Sequence, residues 1–193
     1  PGVFGPDIRD VFLSGEGYFE VTHHEEWPMR VNTPAGVSVK VLGTTFNISA
    51  YSDDPDVKVT LIEGRVQVKK ENSSKIMELH PNQELKIANP LLTEQVSASA
   101  PQISHADIHK TTGWVNGELI FDNSPMSEIV SQLERWYGVT IHILDEDILK
   151  YRMTASFTTE SITRVMELFK FSSTLDYEIN GTDVYIKRNK HNS

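Results

Sequence analysis

Histidine and carboxylate side chains lie close together at two places in the chain, where they could bind a metal ion. The segment 23–26, His-His-Glu-Glu, has ligand types that suit zinc, but adjacent side chains of an extended segment point to opposite faces. His105 and His109 are four residues apart and could share a helix face, yet Asp107 and the surrounding segment supply no third fixed ligand. We therefore predict no metal site in either segment.

Two acidic segments could bind calcium instead. Asp53, Asp54 and Asp56 are spaced like part of a calcium loop, but the glycine and the distal glutamate that such a loop needs are absent. The segment 145–147, Asp-Glu-Asp, follows a predicted strand and is typical of a polar turn. The chain also lacks a glycine-rich phosphate loop and a nucleophile elbow. We therefore predict no catalytic residue, no cofactor and no metal, and hence a protein that is not an enzyme.

Composition narrows the class of protein further. The 193 residues carry a formal net charge of -9, which argues against a surface that neutralises phosphates and so against a nucleic-acid partner. Without cysteine, the chain has no disulfides and no thiol nucleophile. No apolar run approaches the roughly 20 residues of a membrane span. Because the chain opens on Pro1, we expect it to be part of a longer protein.

The first half alternates apolar and polar residues in short runs, which predicts strands with one buried face. The segment 37–41, Val-Ser-Val-Lys-Val, shows this period of two without interruption, and turn residues such as those of 33–36 and 80–83 separate the runs. We predict no helix before Asn89. The eight predicted strands cover residues 17–22, 29–32, 37–42, 45–51, 57–62, 65–70, 76–79 and 84–87.

A weak internal repeat suggests how these strands are wound. Residues 16–21 and 63–68 share the order Glu, Gly, any residue, apolar, polar, Val. We expect Gly17 and Gly64 to permit a bend or a close backbone approach just before a strand. The repeat favours a solenoid-like winding.

The second half alternates strands with helices. Residues 89–113 lose all periodicity and are predicted to be a connector. After it we predict strands over 118–121, 139–143, 153–157, 176–179 and 183–187, with Asn180-Gly181 as a hairpin turn. Amphipathic helices are predicted from Pro125 to Tyr137 and over 161–171. The order is β-α-β-β-α-β-β.

Local signals set the ends of the first predicted helix. Ser124 can cap it, Pro125 suits its first position, and Gly138 should end it. Trp136 and Tyr137 could form a recognition patch, but we expect one of them to anchor the helix on the sheet.

The predicted fold class is thus an all-β first domain, solenoid-like or sandwich-like, followed by a small α+β domain. We place the first domain at residues 1–100, with part of the connector, and the second at residues 101–193.

Two motifs carry a resemblance to a known family. The patterns Val39-x-Val41-Leu42-Gly43-Thr44-x-Phe46-Asn47-Ile48, Val59-x-Leu61-x-Glu63-Gly64-x-Val66-x-Val68 and Leu79-x-Pro81-x-Gln83 resemble the periplasmic domain of FecR-type anti-sigma factors. The patterns Trp114-x-x-Gly117-x-Leu119-x-Phe121-x-Asn123-x-Pro125-Met126 and Leu133-Glu134-Arg135-Trp136-Tyr137-x-Val139 are similar to the carboxy-terminal domain of these regulators. The second domain also resembles the short signalling domain at the amino terminus of secretins and of TonB-dependent transporters.

The resemblance implies a sensory role in the periplasm. In this family a cytoplasmic segment holds a sigma factor, a transmembrane helix follows, and the periplasmic part senses a TonB-dependent outer-membrane transporter. This chain would be the periplasmic part, so its expected partner is the signalling domain of the transporter. The sigma factor and the membrane would be reached only through segments that this chain lacks.

An exposed sheet edge that accepts a partner strand is the expected mode of docking, because main-chain bonds then give affinity. We predict that Val184, Tyr185 and Ile186 of the last strand bind the partner. The alternative is that these residues simply pack the core, since Val, Tyr and Ile are common in any strand.

Two other classes of protein fit the strand pattern. Eight strands could form a jelly roll that binds a small ligand or a carbohydrate or that acts as a cupin-like enzyme, although the His-x-His and Glu ligands expected of a cupin are absent. The α+β half also suits a component of a secretion channel, which would assemble into rings.

Overall fold

A computed structural model describes residues 4–5, 7–71, 73–92 and 100–189 of the chain. The chain divides into two compact units, residues 1–112 and residues 113–193. Each unit has its own apolar core.

The first unit is built from strands that bury every second residue. The segment 37–41 alternates buried valines with the more exposed Ser38 and Lys40, as its sequence predicts. The strands are β1 (Arg9–Phe12), β2 (Gly15–Val21), β3 (Met29–Asn32), β4 (Val37–Val41), β5 (Thr44–Ala50), β6 (Asp56–Glu63), β7 (Val66–Lys70), β8 (Ile76–Leu79), β9 (Gln83–Ala88) and β10 (Gln102–His105). A short helix, α1 (Ile108–Thr112), follows.

These strands form two five-stranded sheets that share one core. Sheet I has the order β1-β3-β4-β7-β8 and sheet II the order β10-β9-β6-β5-β2. Val39 and Val68 of sheet I lie in the same apolar cluster as Phe46 and Leu61 of sheet II, and all four are fully buried. Phe19 stacks on Phe46 with 5.0 Å between the ring centroids. The predicted all-β first domain is confirmed.

The predicted connector 89–113 is wrong in its second part. Residues 102–105 form β10, which pairs antiparallel with β9, and the Ala106 N–H donates to the Asn82 carbonyl at 2.9 Å. All four residues of β10 are exposed, so main-chain pairing holds this edge strand without the apolar alternation that marks a strand in sequence. The division between the units therefore lies after Thr112, not after residue 100. Ser97 and Ser99 of the predicted connector lie outside the described residues.

The two glycines of the internal repeat behave differently. Gly64 has φ +92° in the turn between β6 and β7, where the chain crosses from sheet II to sheet I. A Cβ added there would lie 2.8 Å from the Gly43 carbonyl oxygen, so both the conformation and the space require glycine. Gly17 lies inside β2, opposite Ile48. The predicted close backbone approach is thus present at Gly64, whereas the bend just before a strand is absent at Gly17.

The second unit has the predicted β-α-β-β-α-β-β order. Its elements are β11 (Leu119–Pro125), α2 (Met126–Tyr137), β12 (Thr140–Ile143), β13 (Arg152–Phe157), α3 (Ile162–Ser172), β14 (Leu175–Asn180) and β15 (Asp183–Arg188). Two 3-10 helices, Gly113–Asn116 and Glu146–Lys150, complete it. Sheet III pairs β11 with β13, and sheet IV has the order β12-β15-β14. The buried faces of both helices pack into a single core with both sheets.

The start of α2 differs from the prediction. Ser124 and Pro125 belong to β11, where a bulge follows Phe121, and Pro125 pairs with Arg152. Ser124 is buried and precedes the N-cap residue of the helix, Pro125, which makes no side-chain cap hydrogen bond. The helix begins at Met126, whose N–H donates to the Tyr151 carbonyl at 2.7 Å. The Tyr151 carbonyl thus accepts the hydrogen bond from the first helical amide, which the sequence predicts to be made by the Ser124 side chain.

The other local signals act close to where they were predicted. Gly138 ends α2 in the left-handed conformation with φ +65°, as predicted. The Ser161 side chain caps α3 by accepting from the Arg164 N–H at 3.3 Å. The hairpin turn is shifted by one residue, because Asn180 still pairs with Asp183 and the loop is Gly181-Thr182.

Candidate partner-binding surface

The last strand of the chain is the central strand of sheet IV. β15 pairs with β12 on one side and with β14 on the other, so both of its main-chain edges are occupied. Val184 and Ile186 are buried in the core, at 0% and 1% exposure. The prediction that β15 offers an edge to a partner strand is therefore wrong. The sequence could not show this, because a parallel pairing with β12 brings together strands about forty residues apart.

Tyr185 lies on the other face of β15, away from the core. Because successive side chains of a strand point to opposite faces, Val184 and Ile186 turn inward while Asp183 and Tyr185 turn outward. In the register of sheet IV, Tyr185 lies between His142 of β12 and Glu178 of β14. These three residues form a row across the outer face, which we call the Tyr185 row. The period of two in each strand predicts that these residues face outward, but only the register of the sheet places the three side by side.

The two aromatic side chains of the Tyr185 row are held in place. The His142 ring stacks on the Tyr185 ring with 4.6 Å between centroids and 16° between planes. His142 Nε2 lies 2.7 Å from Asp183 Oδ1, on the same face. Both partners of this contact remain about two-fifths exposed, so water weakens the ion pair when the imidazole is protonated. The row is therefore a preorganised aromatic and polar surface in contact with solvent.

Two amides at the open edge of β14 are bonded to the chain's own side chains. The Asn189 N–H donates to the Thr174 carbonyl, so by alternation the backbone groups of Leu175 and Tyr177 face away from β15. The Leu175 N–H donates to Ser173 Oγ at 3.3 Å, and the Tyr177 N–H donates to Asp176 Oδ1 at 3.0 Å. A partner strand would have to displace these contacts.

Asp176 is itself fixed by a lysine. Lys170 Nζ of α3 lies 2.7 Å from Asp176 Oδ1. The hydrogen bond from Lys170, helped by the Tyr177 amide, holds the pKa of the Asp176 carboxyl below its ordinary value. The carboxylate is thus kept in the charged form that accepts the Tyr177 N–H.

The open edge of β12 is covered in a similar way. Glu134 of α2 accepts a hydrogen bond from the Ile141 N–H at 2.7 Å. Thr140 and Leu144 donate instead to the Thr182 and Ile186 carbonyls, so by alternation the amides of Ile141 and Ile143 face away from β15, and Glu134 bonds the first of these. Strand addition at either edge of sheet IV therefore costs existing hydrogen bonds, whereas contact with the outer face costs none.

Trp136 and Tyr137 of α2 have the structural role expected for one of them. Both are partly buried and pack against the core of the second unit. The Tyr137 hydroxyl donates to the Glu160 carbonyl at 2.9 Å, and burial raises the pKa of its phenol. Tyr137 thus ties the end of α2 to the segment that precedes α3.

The candidate metal ligands of the sequence are dispersed. His105 is in β10 and His109 in α1, so they do not share a helix face. His23 Nε2 lies 3.9 Å from Glu25 Oε1 in an exposed loop. Asp145 caps the second 3-10 helix, as expected for a polar turn, and pairs with Arg188. Over the described ranges, no three His, Asp or Glu side chains are grouped as a metal site requires.

Comparison with known proteins assigns both units. Residues 7–67 match the FecR protein family, and residues 118–186 match the family described as FecR, C-terminal. No curated protein matches the chain significantly.

Two solved structures of a protein proposed to be an anti-sigma factor, from Parabacteroides distasonis, are similar to this chain. They were determined at 1.65 and 2.50 Å, and both are 28% identical to it in sequence. The TM-scores are 0.82 and 0.81, and each match covers 97% of this chain and 84% of the other.

The described helices include none that is both long and apolar enough to cross a membrane. FecR proteins are membrane-anchored regulators, a class that is not enzymatic, and the family implies a sigma-factor partner. Together with the anti-sigma neighbour, the family matches support a sensory role in anti-sigma regulation. The chain belongs to the FecR family of anti-sigma factors, with a FecR domain in its first unit and a FecR C-terminal domain in its second.

Proposed function

We propose that this chain is the periplasmic sensory part of a transmembrane anti-sigma factor and that it receives a signal from a TonB-dependent outer-membrane transporter. The signal controls transcription that depends on the cognate sigma factor. The observation that carries the proposal is the order of the two matches, a FecR domain and then a FecR C-terminal domain, in one chain.

The signal is a difference in binding free energy. A partner shifts a conformational or proteolytic equilibrium only if it binds one state more tightly than the other. The signalling domain of the transporter is the proposed partner, and occupancy of the transporter changes its affinity for this chain. No covalent step is needed, and the sigma factor and the membrane are reached through other segments of the parent protein.

We propose the Tyr185 row as the surface that the signalling domain contacts. Tyr185, His142 and Glu178 lie on the outer face of sheet IV, and both open edges of that sheet have amides bonded to the chain's own side chains. Aromatic side chains held in one orientation bind partners at a low entropic cost. Val184 and Ile186 then contribute indirectly, by fixing the strand that presents Tyr185.

Titration with the isolated signalling domain of a cognate TonB-dependent transporter tests the proposal. We expect a one-to-one complex whose dissociation constant rises at least about tenfold in Tyr185→Ala, the range typical of an interface hot spot. Phe171→Ala is the matched control, because Phe171 is an aromatic residue of the same unit with 91% exposure and lies on α3.

Two outcomes would count against parts of this proposal. If no cognate signalling domain binds the intact chain, the role as a receiver of the transporter signal is wrong. If the domain binds but Tyr185→Ala and Phe171→Ala weaken binding equally, only the assignment of the surface is wrong.

A further inference from the structure

The outer face of sheet I brings three basic side chains together. In the register of the sheet, Arg30 lies opposite Lys40, and Lys69 lies opposite Ser38, the residue two before Lys40. Same-face neighbours on adjacent strands have Cβ atoms only about 5–8 Å apart. A protein with a net charge of -9 therefore presents a local positive surface.

Only one of these cations is neutralised by a carboxylate. Arg30 forms two hydrogen bonds with Asp10, at 2.7 and 2.8 Å, and this contact holds the pKa of the Asp10 carboxyl below its ordinary value. No carboxylate among the described residues lies within ion-pair distance of Lys40, Lys69 or Lys70. Lys40 and Lys69 therefore present positive charge on this face that no carboxylate of the described residues pairs with.

A groove of about 550 Å³ opens beside these cations. Its lining includes the basic residues Arg30, Lys69 and Lys70 and the hydroxyl of Ser38. The groove lies where the turn after β3 meets the end of β7, and the Glu71 N–H donates to the Gly36 carbonyl at 2.7 Å to join the two.

One wall of the groove carries the opposite charge. The Glu71 side chain lies over Gly36, so that a Cβ added to Gly36 would be 2.8 Å from Glu71 Oε2. A carboxylate accepts hydrogen bonds from hydroxyl groups, while ammonium and guanidinium groups bind anionic oxygens. The groove therefore offers sites for both an anionic group and neutral hydroxyls within the volume typical of a small-molecule site.

We propose that this groove binds a small hydroxylated carboxylate of the acidic-sugar class. Lys69, on the outer face of the sheet, binds the carboxylate of the ligand, and Glu71 and Ser38 hydrogen-bond its hydroxyl groups. A flat anionic membrane surface fits less well, because the site is concave and Glu71 would repel the phosphates. The site lies in the first unit and is separate from the Tyr185 row, so it goes beyond the proposed function.

Calorimetric and NMR titration of the intact chain with digalacturonate tests this inference. We expect saturable binding that weakens with added salt and shifts the amide signals of Ser38, Lys69 and Lys70. The neutral disaccharide digalactose should bind at least about tenfold more weakly, because it lacks the carboxylates.

Matched charge-removing variants locate the site. Lys69→Gln should raise the dissociation constant for digalacturonate at least about tenfold, a change of about 1.4 kcal/mol. Lys58→Gln, which removes the same charge from β6 of sheet II, should leave it unchanged. Unchanged amide signals of the core strands of the first unit, such as β5, serve as the check that the variants fold.

Three results would overturn the inference. The first is the absence of saturable digalacturonate binding, and the second is equal weakening by Lys58→Gln. The third is equal or tighter binding of hexaglutamate, which would make the positive surface a site for acidic protein segments instead.

Discussion

The two units of this protein treat surface charge in different ways. In the second unit, Lys150 and Arg164 each bind a carboxylate three residues away on the same helical segment, at 2.7 and 2.9 Å. In the first unit, Lys40 lies opposite Arg30 and Lys69 lies opposite Ser38 on the neighbouring strands. Helices pair charges that are close in sequence, whereas sheets pair charges that only the register brings together.

This difference gives each unit a different kind of surface. The second unit bonds several of its charges and several amides at the open edges of sheet IV with its own side chains, which leaves the aromatic Tyr185 row for contact. The first unit leaves positive groups beside a groove. Recognition by shape and aromatic contact is therefore proposed for one unit, and recognition by charge for the other.

The largest expected effect is the loss of unfolding free energy when a buried aromatic residue is replaced, compared with the replacement of an exposed one. Phe46 of the first unit is fully buried and stacked on Phe19, so Phe46→Ala should lower the free energy of unfolding by about 3–5 kcal/mol. Phe171 of the second unit is 91% exposed, and Phe171→Ala should change it by less than about 0.5 kcal/mol. Urea unfolding followed by circular dichroism measures both. Equal effects would contradict the assignment of the first core.

Substitutions at two glycines with positive φ, one in each unit, should have effects of intermediate size on stability. Gly138 has φ +65° with no neighbour within 4 Å of an added Cβ, so Gly138→Ala should cost about 1–2 kcal/mol from backbone strain alone. Gly64 adds a contact of 2.8 Å with the Gly43 carbonyl oxygen, and Gly64→Ala should cost more. Thermal unfolding of the two variants gives the order. A smaller loss for Gly64→Ala would mean that the β6–β7 turn relaxes freely.

The smallest expected effect is on a single ionisation in the second unit. Lys170 lowers the pKa of Asp176, so the ion pair stabilises the fold above the unfolded pKa of that carboxyl, and this contribution is lost as the pH falls through the lowered folded value. Lys170→Gln should move the titration midpoint of Asp176 upward in an NMR pH titration. Lys40→Gln in the first unit should leave it in place. An unchanged midpoint in Lys170→Gln would show that the Tyr177 amide alone lowers this pKa.

Most elements of the fold could be predicted from the sequence because their signals are local. Valines at every second position mark β4, and Gly138 marks the end of α2 through its left-handed conformation. The strand β10 carried no such signal, since its four residues are all exposed and its stability comes from pairing with β9. Ser124 gave a misleading signal, because a bulged strand competes with the helix for the same residues.

The candidate sites were less predictable than the elements. The strand pattern predicted Tyr185 as a binding residue, but its predicted position on an edge strand was wrong. The sequence also contained no sign that His142 and Glu178 lie beside it. The groove beside Lys69 and Lys70 was not predicted, because its basic lining residues come from strands about forty residues apart in the chain.

The sequence by itself determined which residues of each strand face the core, where α2 ends, and which family the two halves resemble. Those features depend on neighbours within a few residues, where period and backbone conformation are set by local sterics. The tertiary structure decided that β15 is central and that Arg30, Lys40 and Lys69 share one surface. Strand order and register come from burying two complete sheet faces at once, so no single segment of the chain encodes them.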